Sequence, residues 1–236
     1  YLSPKLPPVE SLRQVQLQTP LRVYSSDGKL IGEFGEQRRT PVSFEELPDL
    51  YIKALLSAED AEFYDHPGVS IRGLLRAASQ LLKTGEIQSG GSTLTMQLAR
   101  DFFLSREQVF SRKFNEILLA LQIENELTKQ EILELFSNKM FFGNRAYGIQ
   151  AAAQIYYGED IDGLELHRWA MIVGVLKAPS AYNPLANLER AMIRRNWILG
   201  RMLELGHFDQ ATYDVAVNTP DDARYHGATL ELYAPY

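Results

Sequence analysis

The sequence contains no cysteine, which excludes disulfide bonds and thiolate metal sites. Long apolar runs are also missing. The best run, WAMIVGVL at 169–176, is far shorter than the ~20 residues that a membrane-spanning helix needs. The four histidines show no metal-ligand spacing, and a net charge of −6 argues against general nucleic-acid binding. These absences leave a globular protein without covalent cross-links or a legible metal centre.

The length of 236 residues, 45% of them hydrophobic, allows one large domain or two small ones. The chain starts at Tyr1 without an initiator Met, and we expect it to be a piece of a longer protein with any membrane anchor upstream. We predict a linker and β-hairpin over 1–40, the main domain over 41–205, and a C-terminal helix and linker over 206–236.

The segment LRVYSSDGKLIGEF (21–34) predicts a β-hairpin with Asp27-Gly28 as its turn. From about residue 48 the apolar pattern has a helical period, which predicts a mainly α fold. Thr128 and Glu131 form a capping-box pattern. Two predicted helices begin at Pro48 and at Ser105, and another lies in STLTMQLARDFF. The remaining predicted helices cover 70–85, 129–141, 147–157, 165–176, 187–205 and 209–217.

Four acids crowd the end of the first predicted helix, in SAEDAEFYDHPG (57–68). Glu59 continues the stripe of Tyr51 and Leu55 at steps of four residues, so it extends an apolar face. The helix C-terminus and the loss of hydration both disfavour a carboxylate, and both predict a raised pKa suited to a general base or acid. From spacing alone, a solvated acidic surface remains the simpler interpretation.

Two further stretches carry charge or a flexible backbone. In SGGSTLTMQLAR (89–100), Gly90 and Gly91 precede Ser92 and Thr93, a pattern that fits either an anion site or an ordinary capped turn. In SRKFNEILLA (111–120), two cations and Glu116 share one helix face, which fits either a site or a surface ion-pair cluster. The predicted buried face of that helix comprises Phe110, Phe114, Ile117, Leu118 and Leu121.

Lys177 interrupts an apolar helix just before an Ala-Pro turn, in GVLKAPSAYNP (174–184), where it either snorkels or points into a cleft. Read in order, the motifs EDAEFYDHPG, GGSTLTMQLAR, RKFNEILLALQIE, EILELFSNKMFFG and GVLKAPSAYNP resemble those of the family 51 peptidoglycan glycosyltransferases. These are the polymerase domains of class A penicillin-binding proteins. The stretch NKMFFGNRAYGIQAAAQIYYG is most similar to the penicillin-binding protein 1a branch of Gram-negative bacteria.

The resemblance implies a lysozyme-like, mainly α fold with a large lobe and a small jaw lobe that dips into the membrane. It implies polymerisation of lipid II into β-1,4 glycan strands, with inversion at the donor carbon and release of undecaprenyl pyrophosphate. The reaction would occur at the periplasmic face of the inner membrane and be inhibited by moenomycin. An N-terminal transmembrane helix, a C-terminal transpeptidase domain and an outer-membrane lipoprotein activator are the implied neighbours, and nucleic acid is not a partner.

By position, Glu59 matches the catalytic base of the family, and Glu116 matches its second acid. Asp60 matches the acid that supports the base, while Phe63, His66 and Gly68 shape the turn. No cofactor is obligatory; a divalent cation, Mg²⁺ or Mn²⁺, is compatible, but no ligand set for it is legible. The predicted substrate-binding positions are Asp60, Phe63, Ser92, Thr93, Gln97, Arg100, Arg112, Lys113, Arg145 and Lys177.

Three positions depart from the family pattern. Met96 replaces a glutamine, Arg100 stands where lysine is common, and Phe141 stands where many members have tyrosine. None of them removes either acid, so we expect an active enzyme. Two other functions compete with the polymerase: a lytic transglycosylase or lysozyme that cuts glycan, and a non-enzymatic docking domain. The segments LLRAASQLL (74–82) and FFLSREQVF (102–110) fit either core packing or an interfacial role at the membrane.

Overall fold

The computed structural model describes residues 12, 21–28, 30–34, 40–84, 91–103 and 109–227. Within these residues the fold is mainly helical, as predicted, with two short strands and two 3₁₀ turns at Phe44–Glu46 and Ile161–Gly163. The strands are β1 Leu21–Tyr24 and β2 Leu30–Phe34. The helices are α1 Asp49–Glu59, α2 Ile71–Thr84, α3 Leu94–Phe103, α4 Val109–Glu126, α5 Lys129–Lys139, α6 Ile149–Tyr157, α7 Leu166–Leu176, α8 Leu188–Glu204 and α9 Gln210–Asn218.

The hairpin forms as predicted, with β1 antiparallel to β2. Gly28 has a φ of +81°, a left-handed conformation that most residues avoid. Its N–H donates to the carbonyl of Ser25 across 2.9 Å. The Asp27-Gly28 turn therefore lies where the sequence indicates it.

Side-chain caps explain where several helices begin. At α5, the carboxylate of Glu131 accepts from the N–H of Thr128 at 2.7 Å, while the Thr128 hydroxyl accepts from the N–H of Glu131 at 3.2 Å, which confirms the capping box. Asn187 caps α8, and Asp209 caps α9. The predicted start of α4 at Ser105 falls at 104–108, outside the described residues.

Contacts within the chain define two compact units. The first contains Glu59–Phe136, and its helices are α2, α3, α4 and the part of α5 up to Phe136. Here α3 packs against α4, and Met96 lies fully buried in a cluster with Val69 and Ala120. The glutamine that Met96 replaces in the family pattern would thus occupy a core position here. The predicted domain boundaries at 40 and 205 stay predictions.

The second unit contains the described parts of Leu17–Ala58 and Ser137–Tyr236. Helix α7 is its buried centre and packs against α8. The ring of Tyr51 on α1 lies 5.4 Å from that of Trp169, and its hydroxyl donates to Ser137 at 3.0 Å. Asn138 holds the backbone of Val42 with two hydrogen bonds, of 2.9 and 2.7 Å. The interior of this unit is largely apolar.

The predicted buried face of α4 is wrong in part. Phe114 is 46% exposed and Leu121 is 36% exposed, whereas Ala120 and Ile123 are fully buried. Helix α4 is apolar around much of its circumference, and packing against α3 selects the face that carries Ala120. Ile117 and Leu118 are half-buried, and the side chain of Phe110 lies outside the described residues.

Helix α2 exposes an apolar stripe made of Ile71, Leu75 and Leu82, beside the exposed Arg72 and Arg76. Of the second predicted interfacial segment, 102–110, the structure describes two half-buried phenylalanine side chains at 102 and 103. Within the described residues, no helix combines the length and apolarity that crossing a bilayer requires.

Candidate active site

Glu59 is the last residue of α1 and the first residue of the first unit. Tyr51, Ala54 and Leu55 are fully buried along the same helix, so the apolar stripe predicted from the sequence ends at this acid. Across the first unit, the side-chain N–H of Gln97 on α3 donates to Oε2 of Glu59 at 3.0 Å. This hydrogen bond from an uncharged amide orients the carboxylate.

The turn after Glu59 is built around Asp60, which is 9% exposed. Its Oδ2 accepts from the N–H of Leu94 at 3.0 Å, and both oxygens lie 3.0–3.1 Å from Nε2 of His66. Because Nδ1 of His66 accepts from the N–H of Gly68 at 3.1 Å, the ring carries its proton on Nε2 and donates to Asp60. Asp60 thus joins the turn to the start of α3, where a carboxylate also matches the positive end of the helix dipole.

Gly68 closes the turn against α4. Its φ is +88°, and a Cβ at this position would lie 2.7 Å from the carbonyl oxygen of Ala120. The hydroxyl of Thr93 donates to the Gly68 carbonyl at 2.6 Å and accepts from the N–H of Met96 at 3.1 Å. Thr93 is therefore the cap of α3 that the sequence predicted. Gly90 lies outside the described residues.

Glu116 lies on α4 with only 2% of its surface exposed, so the surface ion-pair interpretation does not hold. Nζ of Lys113 donates to Glu116 at 2.8 Å and to the hydroxyl of Ser92 at 2.6 Å. Nε of Arg112 lies 3.7 Å from the same carboxylate. Because the side chains of Arg112 and Lys113 are 35% and 40% exposed, the two cations also face solvent, where they can bind an anion.

The remaining predicted site residues lie at three kinds of position. Arg100, in the last turn of α3, is partly exposed and lies 3.9 Å from its neighbour Asp101. Phe63 is fully buried in the turn, and its predicted substrate contact stays a prediction. Arg145 and Lys177 are exposed in the second unit, Arg145 with a φ of +65° and Lys177 at the end of α7. The ring of Phe141, also in that unit, lies 4.9 Å from that of Tyr147 and is tilted by 40° to it.

The sequence did not predict the ion pair of Glu124 and Lys129, which contacts the turn after Glu59. Nζ of Lys129 lies 2.8 Å from the carboxylate of Glu124 and donates to the carbonyl of His66 at 2.7 Å. Thr95 donates to the same carboxylate at 2.6 Å. Glu124 and Lys129 are five residues apart across the break between α4 and α5, a spacing that gives no helical pairing signal. Among the described residues, no group of three or more His, Cys, Asp or Glu is arranged to hold a metal ion.

Comparison with known proteins supplies independent evidence. A family model described as transglycosylase matches residues 27–203. Penicillin-binding protein 1A of Pseudomonas aeruginosa is 63% identical over 236 residues, which cover 100% of this chain and 29% of that protein. The Escherichia coli protein of the same name is 47% identical, with 100% and 28% covered. The chain thus spans less than a third of these relatives.

A solved structure is similar as well. The crystal structure of penicillin-binding protein 1A from Haemophilus influenzae matches with a TM-score of 0.54 and 34% sequence identity. The match covers 93% of this chain and 23% of that one. The mainly helical fold is therefore shared with a protein of the same description as the relatives found by sequence.

Proposed function

We propose that this chain, which belongs to the transglycosylase family, is a peptidoglycan glycosyltransferase that polymerises lipid II into β-1,4-linked glycan strands. The proposal depends on the different surroundings of two carboxylates in the first unit. Glu59 is held by an uncharged amide, whereas Glu116 is buried beside two cations. The first environment suits a general base, and the second suits an acid that orients positively charged side chains.

In the proposed reaction, Glu59 accepts the proton of the 4-hydroxyl of the acceptor N-acetylglucosamine. The hydroxyl oxygen forms a bond to the anomeric carbon of the donor, and the bond from that carbon to the pyrophosphate oxygen breaks. A single displacement turns an α-linked donor into a β-linked product and releases undecaprenyl pyrophosphate. The hydrogen bond from Gln97 supports this role, since a fixed carboxylate is already oriented when substrate binds.

Because a pyrophosphate leaving group needs little protonation, we assign charge stabilisation to the cations. Lys113 is anchored by Ser92 and Glu116, and Arg112 lies beside the same acid. Both retain exposed surface for phosphate oxygens. We propose the same task for Arg100, and the substrate-binding roles of Arg145 and Lys177 stay predictions. No step is routed through a metal ion, and a role for Mg²⁺ or Mn²⁺ stays a prediction.

We also propose that the enzyme works at the outer face of the inner membrane. The exposed stripe of Ile71, Leu75 and Leu82, with arginines beside it, fits a helix that lies in a lipid interface. A membrane anchor, a transpeptidase domain and a lipoprotein activator complete the proposed setting in the full-length protein.

The test is polymerisation of labelled lipid II in detergent by the parent and by Glu59→Gln. We expect long glycan from the parent and a loss of about 100-fold or more in the variant, since general-base catalysis contributes on that scale. Glu62→Gln is the matched control, because Glu62 lies in the same acidic turn but pairs with the exposed Arg72. Solubilisation of purified sacculi by the parent would instead support a glycan-cleaving enzyme, and folded parent that binds lipid II without turnover would support a docking domain.

A further inference from the structure

The side chains of Glu124 and Lys129 connect the turn after Glu59 to the far end of α4. The ammonium of Lys129 meets the Glu124 carboxylate at 2.8 Å, the His66 carbonyl at 2.7 Å and the Phe63 ring at 4.3 Å from its centroid. The side chain of Glu124 is 7% exposed, and that of Lys129 is 22% exposed. One cation therefore holds the backbone and the aromatic ring of the turn against the helix.

The stability of the fold does not explain this pair. Taking two charges out of water costs about as much as their attraction returns, so a buried ion pair is often no more stabilising than apolar residues of similar volume. What such a pair does supply is a fixed geometry, because its hydrogen bonds are directional and both partners must stay in place.

The geometry that the pair fixes involves both candidate catalytic acids. The turn begins directly after Glu59, and α4 carries Glu116 as well as Glu124. These two glutamates are eight positions apart, which at 1.5 Å per residue is about 12 Å along the helix. On the other side, Asp60 and Gln97 connect the turn and Glu59 to α3. Lys129 supplies the corresponding connection to the helix that carries Glu116.

We propose that Glu124 and Lys129 are positioning residues, whose ion pair locks the turn behind Glu59 to α4 and so sets the spacing between the general base and Glu116. This inference rests on the proposed function of the two acids. Neither side chain needs to touch substrate, because both act through the turn. The hydroxyl of Thr95 on α3 also donates to the Glu124 carboxylate and so helps to hold it in place.

The test is a mutant cycle of Lys129→Met, Glu124→Gln and the double variant, with both unfolding in urea and lipid II polymerisation measured. We expect each single variant to unfold more easily, because it leaves a buried partner unmatched, and the double variant to recover much of that loss. Its kcat should nevertheless stay about 10- to 100-fold below the parent value, as expected for a misplaced base, with KM within about twofold. Lys129→Arg should retain more kcat than Lys129→Met.

The control is the double variant Arg201→Gln with Glu204→Gln, which removes an exposed ion pair on α8 in the second unit. It should leave kcat unchanged. A double variant of Glu124 and Lys129 with parental kcat would overturn the inference, as would a loss confined to KM.

Amide hydrogen exchange at residues 61–68 separates this inference from the proposed function. Faster exchange in the folded double variant is expected whether or not the chain polymerises lipid II, and unchanged exchange would overturn the positioning role. An inactive parent with faster exchange in the variant would refute the proposed function alone.

Discussion

The two units differ in what they bury. In the described residues, the buried acids Asp60 and Glu116 lie in the first unit, as does Glu124, whose side chain is 7% exposed. The second unit buries neutral polar groups such as Asn138 and Gln150, together with one arginine, Arg195, whose guanidinium is bound by carbonyl oxygens at the end of α9. The buried polar side chains of the first unit thus connect elements that carry candidate catalytic groups. In the second unit, Arg195 instead satisfies the carbonyl groups at the end of a helix.

Because of this difference, we expect substitutions of buried polar residues to have different effects in the two units. A change behind the site of the first unit should reduce activity beyond any loss of stability, because the polar groups there orient other side chains. A change of comparable burial in the second unit should reduce the free energy of unfolding and leave the activity of the folded molecules alone.

The largest effect is expected for Gly68→Ala. The new Cβ would overlap the Ala120 carbonyl and the Glu124 side chain, and the φ of +88° disfavours any residue with a Cβ. We expect a loss of about 2–4 kcal/mol in the free energy of unfolding, from overpacking and backbone strain, and reduced polymerisation by the folded fraction. Urea denaturation and activity per folded molecule measure the two effects.

Gly206→Ala is the matched control, since Gly206 has a φ of +74° and a Cβ added there would meet no other atom within 4 Å. It should cost roughly 1 kcal/mol from the left-handed conformation alone and leave activity unchanged. Equal losses of activity in the two variants would remove the distinction between the units.

A smaller effect is expected for Arg195→Met in the second unit. The change keeps an apolar side chain but leaves the carbonyls of Val217 and Thr219 without their 2.9 Å hydrogen bonds. We expect the free energy of unfolding to fall by about 1–3 kcal/mol, with kcat per folded molecule unchanged. Arg190→Met, at an exposed position of the same helix, is the control. A lower kcat in folded Arg195→Met would place this residue in the functional class.

The smallest effect concerns pH. Burial lowers the pKa of His167 below its ordinary value of about 6.5, with Arg195 and Arg168 acting in the same direction and Glu165 and Asp222 opposing it. The unfolded chain therefore takes up a proton before the folded chain does. The contribution of neutral His167 to the free energy of unfolding is therefore fully present above about pH 6.5, and it declines as the pH falls below that value. In thermal unfolding, His167→Gln should flatten this decline, and an unchanged slope would contradict it.

Much of the fold could be predicted from the sequence because its signals are local. The Asp27-Gly28 turn, the capping box at Thr128 and the apolar period of the helices each depend on residues a few positions apart. The order of five motifs identified the family, and Glu59 was located at a helix end by spacing alone. The catalytic roles of the site residues remain predictions that the proposed variants test.

What could not be predicted depends on contacts between distant segments. The burial of Glu116 follows from the packing of α4, and an apolar pattern around most of a helix does not say which face a neighbour will cover. The same ambiguity explains why Phe114 was predicted to be buried but is exposed. The pairing of Lys129 with the His66 carbonyl joins residues 63 positions apart, for which no periodic signal exists.

The eight-residue interval between Glu116 and Glu124 has a consequence for how the chain can vary in length. Each residue added to a helix turns everything beyond it by about 100° and moves it about 1.5 Å, because a turn takes 3.6 residues. One insertion inside this interval would rotate Glu124 away from Thr95, or else rotate Glu116 and Lys113 away from Ser92. Insertions and deletions should therefore be tolerated in the surface turns of this protein and rejected within this stretch of α4.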